Sequence, residues 1–497
     1  MIGSETQPAG GSAGETGSAD RRRIVVIGGG IAGLAAAFRL RQLQPDAEVL
    51  VLEAADRVGG KLRRVQVAGA WVDVGAEALL VRRPEGVATI GALGLAEEII
   101  HPLTTAALLR NRGANRPLPP RTLMGVPTDL AALREAGVVS EATLDRIAAE
   151  PAGGPYPPLA EDVSVGDLVA DRFGAEVVDR LVDPLLGGVY AGQARRISLQ
   201  AAVPGLASRL MSDGGSLLTA ARAQVAAGAR DEPGRPVFAS LPGGLARLTE
   251  TLAADGGFTV RCRTTVRTIQ PTGSGFRLWL GPVPAAEQLT ADAVVVATPA
   301  GKAATLLAEL APAAAAELAD IETASMVIVT LAFRLPLPWP LPAGSGILIP
   351  DGEGLAGKAM TFSSQKWPGV GAESGVLLLR ASLGRAGEQT QLQRTDAELI
   401  ATVRRELAEL TGLTAEPVDS HLQRWGGALP QYAVGHPDRV RRIRTAVAEV
   451  PGLAVCGASY DGVGIPACIG SAHLAAEQVS SALAAAAQMA GRRRDTR

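Results

Sequence analysis

Gly28, Gly30 and Gly33 stand at GxGxxG spacing within Gly28-Gly29-Gly30-Ile31-Ala32-Gly33. Glycines so placed let backbone approach a pyrophosphate and let a helix start close against a strand, which is the chemistry of dinucleotide binding. The spacing alone is a weak signal in a chain with 59 glycines among 497 residues. Its surroundings strengthen it. Glu53 lies about twenty residues beyond Gly33, where a carboxylate can accept both hydrogens of a ribose diol. Arg57-Val58-Gly59-Gly60-Lys61 follows, its paired glycines permitting close approach to a ligand and its cations able to neutralise phosphate. A charged loop beside an ordinary strand is the plainer reading of that stretch.

These residues need elements to hold them. Ile24 to Ile27 is a short, wholly apolar, β-branched run, which predicts a strand buried on both faces of a parallel sheet. A helix is expected from Ala32 to Leu43 and a second parallel strand from Val49 to Leu52, together a βαβ unit. Trp71 to Val74 alternates like a strand and runs into Gly75-Ala76-Glu77. From Thr128 to Arg230 the pattern is helical, with Ser164 and Asp167 at capping-box spacing. Short β-rich runs between Met326 and Leu383 predict an antiparallel sheet. Thr395 with Glu398 opens an amphipathic helix that stops at Gly412. Leu453 to Cys456 is a last buried strand, followed by a glycine turn and a helix near Pro466.

Residues 1–20 read as a floppy tail. Arg21-Arg22-Arg23 ahead of an apolar run imitates a twin-arginine export signal, against which the glycine pattern and the lack of a clear cleavage site count. No run of lipid-compatible residues is long enough for a spanning helix, so a soluble, cytoplasmic protein is expected. Hydrophobic residues at 47% and charged residues at 20% exclude wholesale disorder. Forty-eight Lys plus Arg against 50 Asp plus Glu leaves no general nucleic-acid footprint. Cys262, Cys456 and Cys468 are too few and too scattered for a disulfide framework or a metal knuckle. Four histidines without an HExxH offer no metal site. The hard chemistry therefore falls to a cofactor. No second GxGxxG follows a strand, and a single dinucleotide can be both acceptor and relay if it is FAD.

The sequence resembles the FAD-dependent amine oxidase and protoporphyrinogen oxidase superfamily, whose pattern is GxGxxG, then Glu, then RxGG with a trailing basic residue. Gly28, Gly30, Gly33, Glu53, Arg57, Gly59, Gly60 and Lys61 supply every element of it. Further stretches resemble the HemY-type branch, which contains protoporphyrinogen oxidases and the coproporphyrinogen III oxidases of Gram-positive and actinobacterial type. They are Asp183 to Gly192, Thr361 to Pro368, Leu429 to Tyr432 with Gly435-His436, and Gly464-Ile465-Pro466. The likeness runs from about Arg22 to Leu483.

The resemblance implies an α/β fold in three parts. A discontinuous Rossmann-like FAD-binding domain would take 21–103, 236–320 and 420–490. A β-rich substrate domain would take 104–126 and 321–419, and a helical domain facing a membrane or a partner enzyme 127–235, with a basic tail at 491–497. FAD, bound non-covalently, would be held by the glycine loop with Ile31 and Ala32, by Glu53, Arg57 and Lys61, by Gly75, Ala76 and Glu77, by Val266 against adenine, and by Gly457, Val463, Gly464, Ile465 and Pro466. The helix starting at the last of these would aim its positive end at the N1 and C2-oxygen side of the flavin. Ala297-Thr298-Pro299 is a further cofactor-domain turn of the same kind.

The substrate so implied is a porphyrinogen with propionate arms, oxidised by six electrons with O2 as acceptor to give three peroxides. Arg110, Arg112, Arg116, Arg209 and Lys366 are the candidate propionate partners, each otherwise a solvated surface cation. Tyr190 and His436 fall in the family-like stretches, with structural hydrogen bonding as the alternative. No catalytic acid or base is identifiable. Cys456 and Cys468 are expected to be free buried thiols rather than points of flavin attachment. Flavin amine oxidases hold the amine between aromatic rings, whereas Gly457 to Gly470 offers only Tyr460. Amine oxidation is therefore a distant alternative, as are carotenoid desaturation and a non-catalytic tetrapyrrole carrier, while the lack of a spanning run and the Ala-, Gly- and Arg-rich character make coproporphyrinogen III the preferred substrate and protoporphyrinogen IX the rival. Oligomeric state is not fixed by any of these residues.

Overall fold

The apolar run at 24–27 lies in the middle of a five-stranded parallel sheet. The computed structural model describes residues 21–231, 236–339 and 341–495, with side chains for 21–228, 236–339 and 341–489, so the tail expected at 1–20 lies outside the described residues. Across the sheet the strands run Thr259–Arg261, Glu48–Leu52, Arg23–Ile27, Ala293–Val296 and Leu453–Val455, every neighbouring pair parallel. Ile24 and Val26 face one apolar cluster while Val25 and Ile27 face another, which is why no polar residue interrupts the run. The helices Ile31–Leu43 and Ile465–Asp495 supply the first face. Helices Ala300–Leu307, Pro312–Ala319 and His436–Ala448, with a three-stranded antiparallel sheet from Val266 to Ala291, supply the second.

A second, seven-stranded sheet runs in the order Asp419–Pro430, Thr323–Phe333, Leu377–Leu383, Gly357–Thr361, Gly346–Leu348, Leu108–Asn111 and Ala114–Pro117. It is antiparallel except where Gly346–Leu348 meets Leu108–Asn111. Helix Asp396–Thr411 packs its Leu399, Val403 and Leu407 on one face. That helix begins with a capping box between Thr395 and Glu398 and ends at Gly412 in a left-handed conformation, as its sequence predicts. The strand Asp419–Pro430 pairs with Thr323–Phe333 from Ala332↔Asp419 to Thr323↔Pro430, so the stretch just past the boundary expected at 420 joins the seven-stranded sheet rather than the five-stranded one. Its mixed polar residues and paired glycines conceal a half-exposed strand.

Between them lies a helical insertion, Leu130–Asp231, with its own apolar cluster around Phe173, Leu181, Leu206 and Tyr432. Ser164 caps the helix Val165–Phe173 by accepting the Asp167 amide at 2.9 Å. Among the described residues no helix is long and apolar enough to cross a membrane. The last helix extends to Asp495, so part of the stretch expected as a basic tail continues it; residues 496 and 497 lie outside the described residues.

Candidate functional site

The glycine loop does what its spacing requires. Gly28 has φ +110°, and a side chain there would lie 2.9 Å from the Ala297 carbonyl oxygen. A Cβ on Gly33 would fall 1.9 Å from the Gly28 carbonyl oxygen, so only glycine lets the helix sit this close to the turn. Gly30 is different: a Cβ there would meet nothing within 4 Å, which is open room beside the helix start. No side chain caps that helix at Gly30, and Ile31 and Ala32 are buried in its first turn, leaving amide donors for a bound anion.

The Glu53 carboxylate closes the loop from below. It accepts the Gly29 amide at 2.6 Å and the Ala55 amide at 2.7 Å, and each oxygen keeps a lone pair for a ribose hydroxyl. Gly59 donates to the Gly29 carbonyl at 2.8 Å, and Gly60, at φ +55°, lies against Gly30, so the second glycine pair joins the first in one cradle. Arg57 folds back onto the carbonyls of Val58 and Gly60, 2.9 and 3.0 Å away. Lys61 is held below its ordinary pKa by burial, and its ammonium has no hydrogen-bond or ion-pair partner among the described residues. Thr298, on the turn after Ala293–Val296, buries a hydroxyl oxygen that also lacks a partner. Val266 is buried among Ile27 and Leu52 at the ends of the two central strands. An open glycine, an uncapped helix, an unpaired cation and an orphaned hydroxyl fit a phosphate-bearing dinucleotide.

Gly75, Ala76 and Glu77 run along the inner side of this cradle. A Cβ on Gly75 would fall 1.9 Å from the Lys61 carbonyl oxygen. Glu77 is half-buried between two cations: Lys366 lies 2.5 Å from one oxygen and Arg380 pairs with the other, while Arg380 also donates to the Gly75 carbonyl at 2.8 Å. Burial would push the Glu77 carboxyl up, but Lys366 and Arg380 overcome it and hold it down to about 2. Asp73 accepts the Leu245 amide at 2.7 Å, and burial raises its carboxyl to about 6. Trp425 donates its indole N–H to the Val74 carbonyl at 2.8 Å, tying the seven-stranded sheet to the cradle.

The C-terminal turn reaches the same place from the other end of the chain. Gly457 has φ +127° and donates to the Ser471 hydroxyl at 3.0 Å. Val463 is half-buried, Gly464 is exposed, with the Pro466 ring 4.0 Å from where its Cβ would stand, and Ile465 and Pro466 begin the long helix. Cys456 and Cys468 are free and buried, and burial raises both thiols, Cys468 to about 11.

The expected substrate cations are not equally free. Lys366 is engaged by Glu77; Arg112, largely exposed, pairs with Glu176 at 2.6 Å; Arg110 pairs with Glu409 at 2.8 Å. Arg116 is exposed, and Arg209 leaves its buried Nε without a partner. Tyr190 is buried, its hydroxyl pushed up to about 12 by burial. Its ring lies 5.5 Å from that of Tyr432, which donates its hydroxyl to the Ala458 carbonyl at 2.6 Å. His436 stacks on Tyr432, and burial, then Arg439, lowers its imidazole to about 4, so it is neutral at physiological pH. Ser459 and Tyr460 backbone groups approach the ring from the C-terminal turn, but neither ring nitrogen makes a hydrogen bond of normal geometry. Sequence reasoning missed Arg380, Lys358 and Trp425. A charge inside an apolar strand, as in Leu377–Leu383, is the signal that would have marked the first two.

The coproporphyrinogen III oxidase of Mycobacterium tuberculosis is 39% identical over 466 residues, covering 93% of this chain and 98% of that protein. The coproporphyrinogen III oxidase of Bacillus subtilis is 31% identical, over 90% of this chain and 96% of its own. A solved structure from Exiguobacterium sp. 255-15, named as a protoporphyrinogen oxidase, superposes with a TM-score of 0.81 at 30% identity, covering 93% of this chain and 99% of that one. A putrescine oxidase variant, 18% identical with a TM-score of 0.67 over 94% of this chain and 99% of its own, shares the fold. The model of the family described as flavin containing amine oxidoreductase matches residues 31–480, from within the glycine loop to within the last helix, and it is to this family that the chain belongs.

Proposed function

We propose that this flavin-dependent oxidoreductase converts coproporphyrinogen III to coproporphyrin III in haem biosynthesis, with O2 as acceptor. The overall balance is loss of six electrons and six protons from the macrocycle and formation of three H2O2 from three O2. The observation that carries this reading is likeness to named coproporphyrinogen III oxidases along nearly the whole chain, cradle and substrate sheet together. Protoporphyrinogen IX is the rival substrate, since the Exiguobacterium neighbour bears that name.

The cofactor proposed is FAD, held without a covalent bond. Bound, it supplies the hydride acceptor, chemistry that side chains lack. Residues 28–33 and Glu53 would seat the pyrophosphate and ribose, and Lys61 would face the negative charge. Val266 would lie by the adenine, and the helix that begins at Ile465 would direct its amide end to the flavin. Raised, un-ionised thiols at Cys456 and Cys468 support non-covalent binding, because the thiolate is the nucleophile. With His436 neutral and Glu77 locked in an ion pair, this chain positions the substrate and excludes water rather than trading protons with it. Cytoplasmic location, with peripheral contact to a membrane or to the next enzyme through the helical part, completes the reading.

Purified protein should show a flavin spectrum and generate porphyrin fluorescence from coproporphyrinogen III faster than from protoporphyrinogen IX. Oxidation of neither would refute the assignment. The reverse preference would favour the rival.

A further inference from the structure

Lys358 lies inside the seven-stranded sheet, 5% exposed, on the strand Gly357–Thr361. A β-bulge at Gly357–Ala359 re-aims the chain at this point. The ammonium has one partner, the Gly187 carbonyl oxygen, 3.3 Å away on the helix Asp183–Tyr190. Among the described residues no carboxylate pairs with it. Glu406, beside the same strand end, spends its oxygens on the Ala356 and Gly357 amides, 2.7 and 3.0 Å away. Arg385 adds a second cation instead of a counter-charge: it donates to the carbonyls of Ile349 and Gly357, and its nearest carboxylate, Glu388, is 3.7 Å away and more than a third exposed. A buried charge is costly unless it is paired. Lys358, with one 3.3 Å carbonyl contact, and Arg385, which donates to two carbonyls, thus put two cations side by side with no close carboxylate among the described residues.

The place also lies in line with the cofactor cradle. Thr361 is the register partner of Arg380, which holds Glu77, so Lys358 lies three residues farther along the strand, roughly 10 Å at the usual rise. The helix it touches continues to Tyr190, whose ring meets Tyr432, which in turn is tied to Ala458 on the C-terminal turn. The Ala386 amide donates to the Ala191 carbonyl at 2.7 Å, fastening the Arg385 loop to the same helix end.

We propose that Lys358, assisted by Arg385, is the seat of a substrate carboxylate, one propionate arm of the porphyrinogen; this rests on the functional reading above. Burial, then Arg385, lowers the Lys358 ammonium to about 7, and an arriving carboxylate restores its charge. A lysine present only to tie the helix to the sheet would need no second cation beside it.

The test compares wild type, K358M and K358R, with flavin content and melting temperature as controls for folding. K358M should fold and retain flavin, since replacing a buried cation by an apolar side chain of similar length is tolerated. Its KM for coproporphyrinogen III should rise roughly tenfold with kcat little changed, the mark of a lost uniform contact to a charged group. Affinity for coproporphyrin III, read by fluorescence titration without turnover, should fall by a similar factor, and K358R should recover part of it. Should K358M fail to fold, K358Q, which keeps a donor for Gly187, is read the same way. Unchanged KM and unchanged coproporphyrin III affinity in an active background would overturn the carboxylate seat alone. A wild type that oxidises neither porphyrinogen overturns the functional reading instead.

Discussion

The imidazole of His436 lies flat on the ring of Tyr432, centroids 3.9 Å apart and planes inclined by 13°. Burial keeps that imidazole neutral down to about pH 4, whereas an unfolded histidine takes a proton near 6.5. Between those values the unfolded chain binds a proton that the native chain refuses. The contribution of His436 is therefore complete above about pH 6.5 and is lost as pH falls toward 4, by up to about 3 kcal/mol. Urea midpoints of wild type and H436Q between pH 4 and 7 should converge as the solution becomes more acid. Parallel curves would contradict this account.

Glu77 sets the charge of its neighbourhood. E77Q leaves the half-buried Lys366 and the buried Arg380 without their carboxylate and should cost about 3–5 kcal/mol at neutral pH. Because the native carboxyl titrates at about 2, below its unfolded value, its stabilisation is full above about 4.5 and disappears as pH drops through 2. Chemical denaturation of E77Q and wild type at pH 7 measures the difference. The combined replacement of Glu77, Lys366 and Arg380 by apolar residues should restore much of the loss.

Two glycines of the same loop should behave oppositely. Gly30 has φ −75° and ψ 177°, which alanine adopts freely, with open room for its methyl group. G30A should keep apoprotein stability within about 0.5 kcal/mol of wild type while weakening flavin binding. G33A must push its methyl into the Gly28 carbonyl, at a cost of about 1–3 kcal/mol or more. Flavin titration and apoprotein melting, measured together, separate the two effects.

The state of the flavin linkage is visible by eye. Acid precipitation should leave a colourless pellet and a yellow supernatant, because neither Cys456 nor Cys468 is a thiolate at neutral pH. A yellow pellet that survives washing would reveal a covalent bond.

The parts of the molecule legible in its sequence are those specified by neighbours in the chain. The strand 24–27, the glycine loop and the Thr395 capping box are written in a few consecutive residues, and each forms where it was expected. The partners of two expected substrate cations are remote: Lys366 meets Glu77 across 289 residues and Arg110 meets Glu409 across 299. No local pattern announces such pairs. Strand Asp419–Pro430 escaped for a related reason, since its half-exposed face carries polar residues and its pairing with Thr323–Phe333 supplies the order that its own composition does not.

The parallel sheet has a consequence for how the protein is made. Its central strand, Arg23–Ile27, lies beside Ala293–Val296, which lies beside Leu453–Val455. The cradle's last wall is thus translated long after its glycine loop, and a nascent chain stalled between the two carries an early glycine loop with nothing to close it. Products terminated before Leu453 should therefore accumulate as colourless, protease-sensitive material.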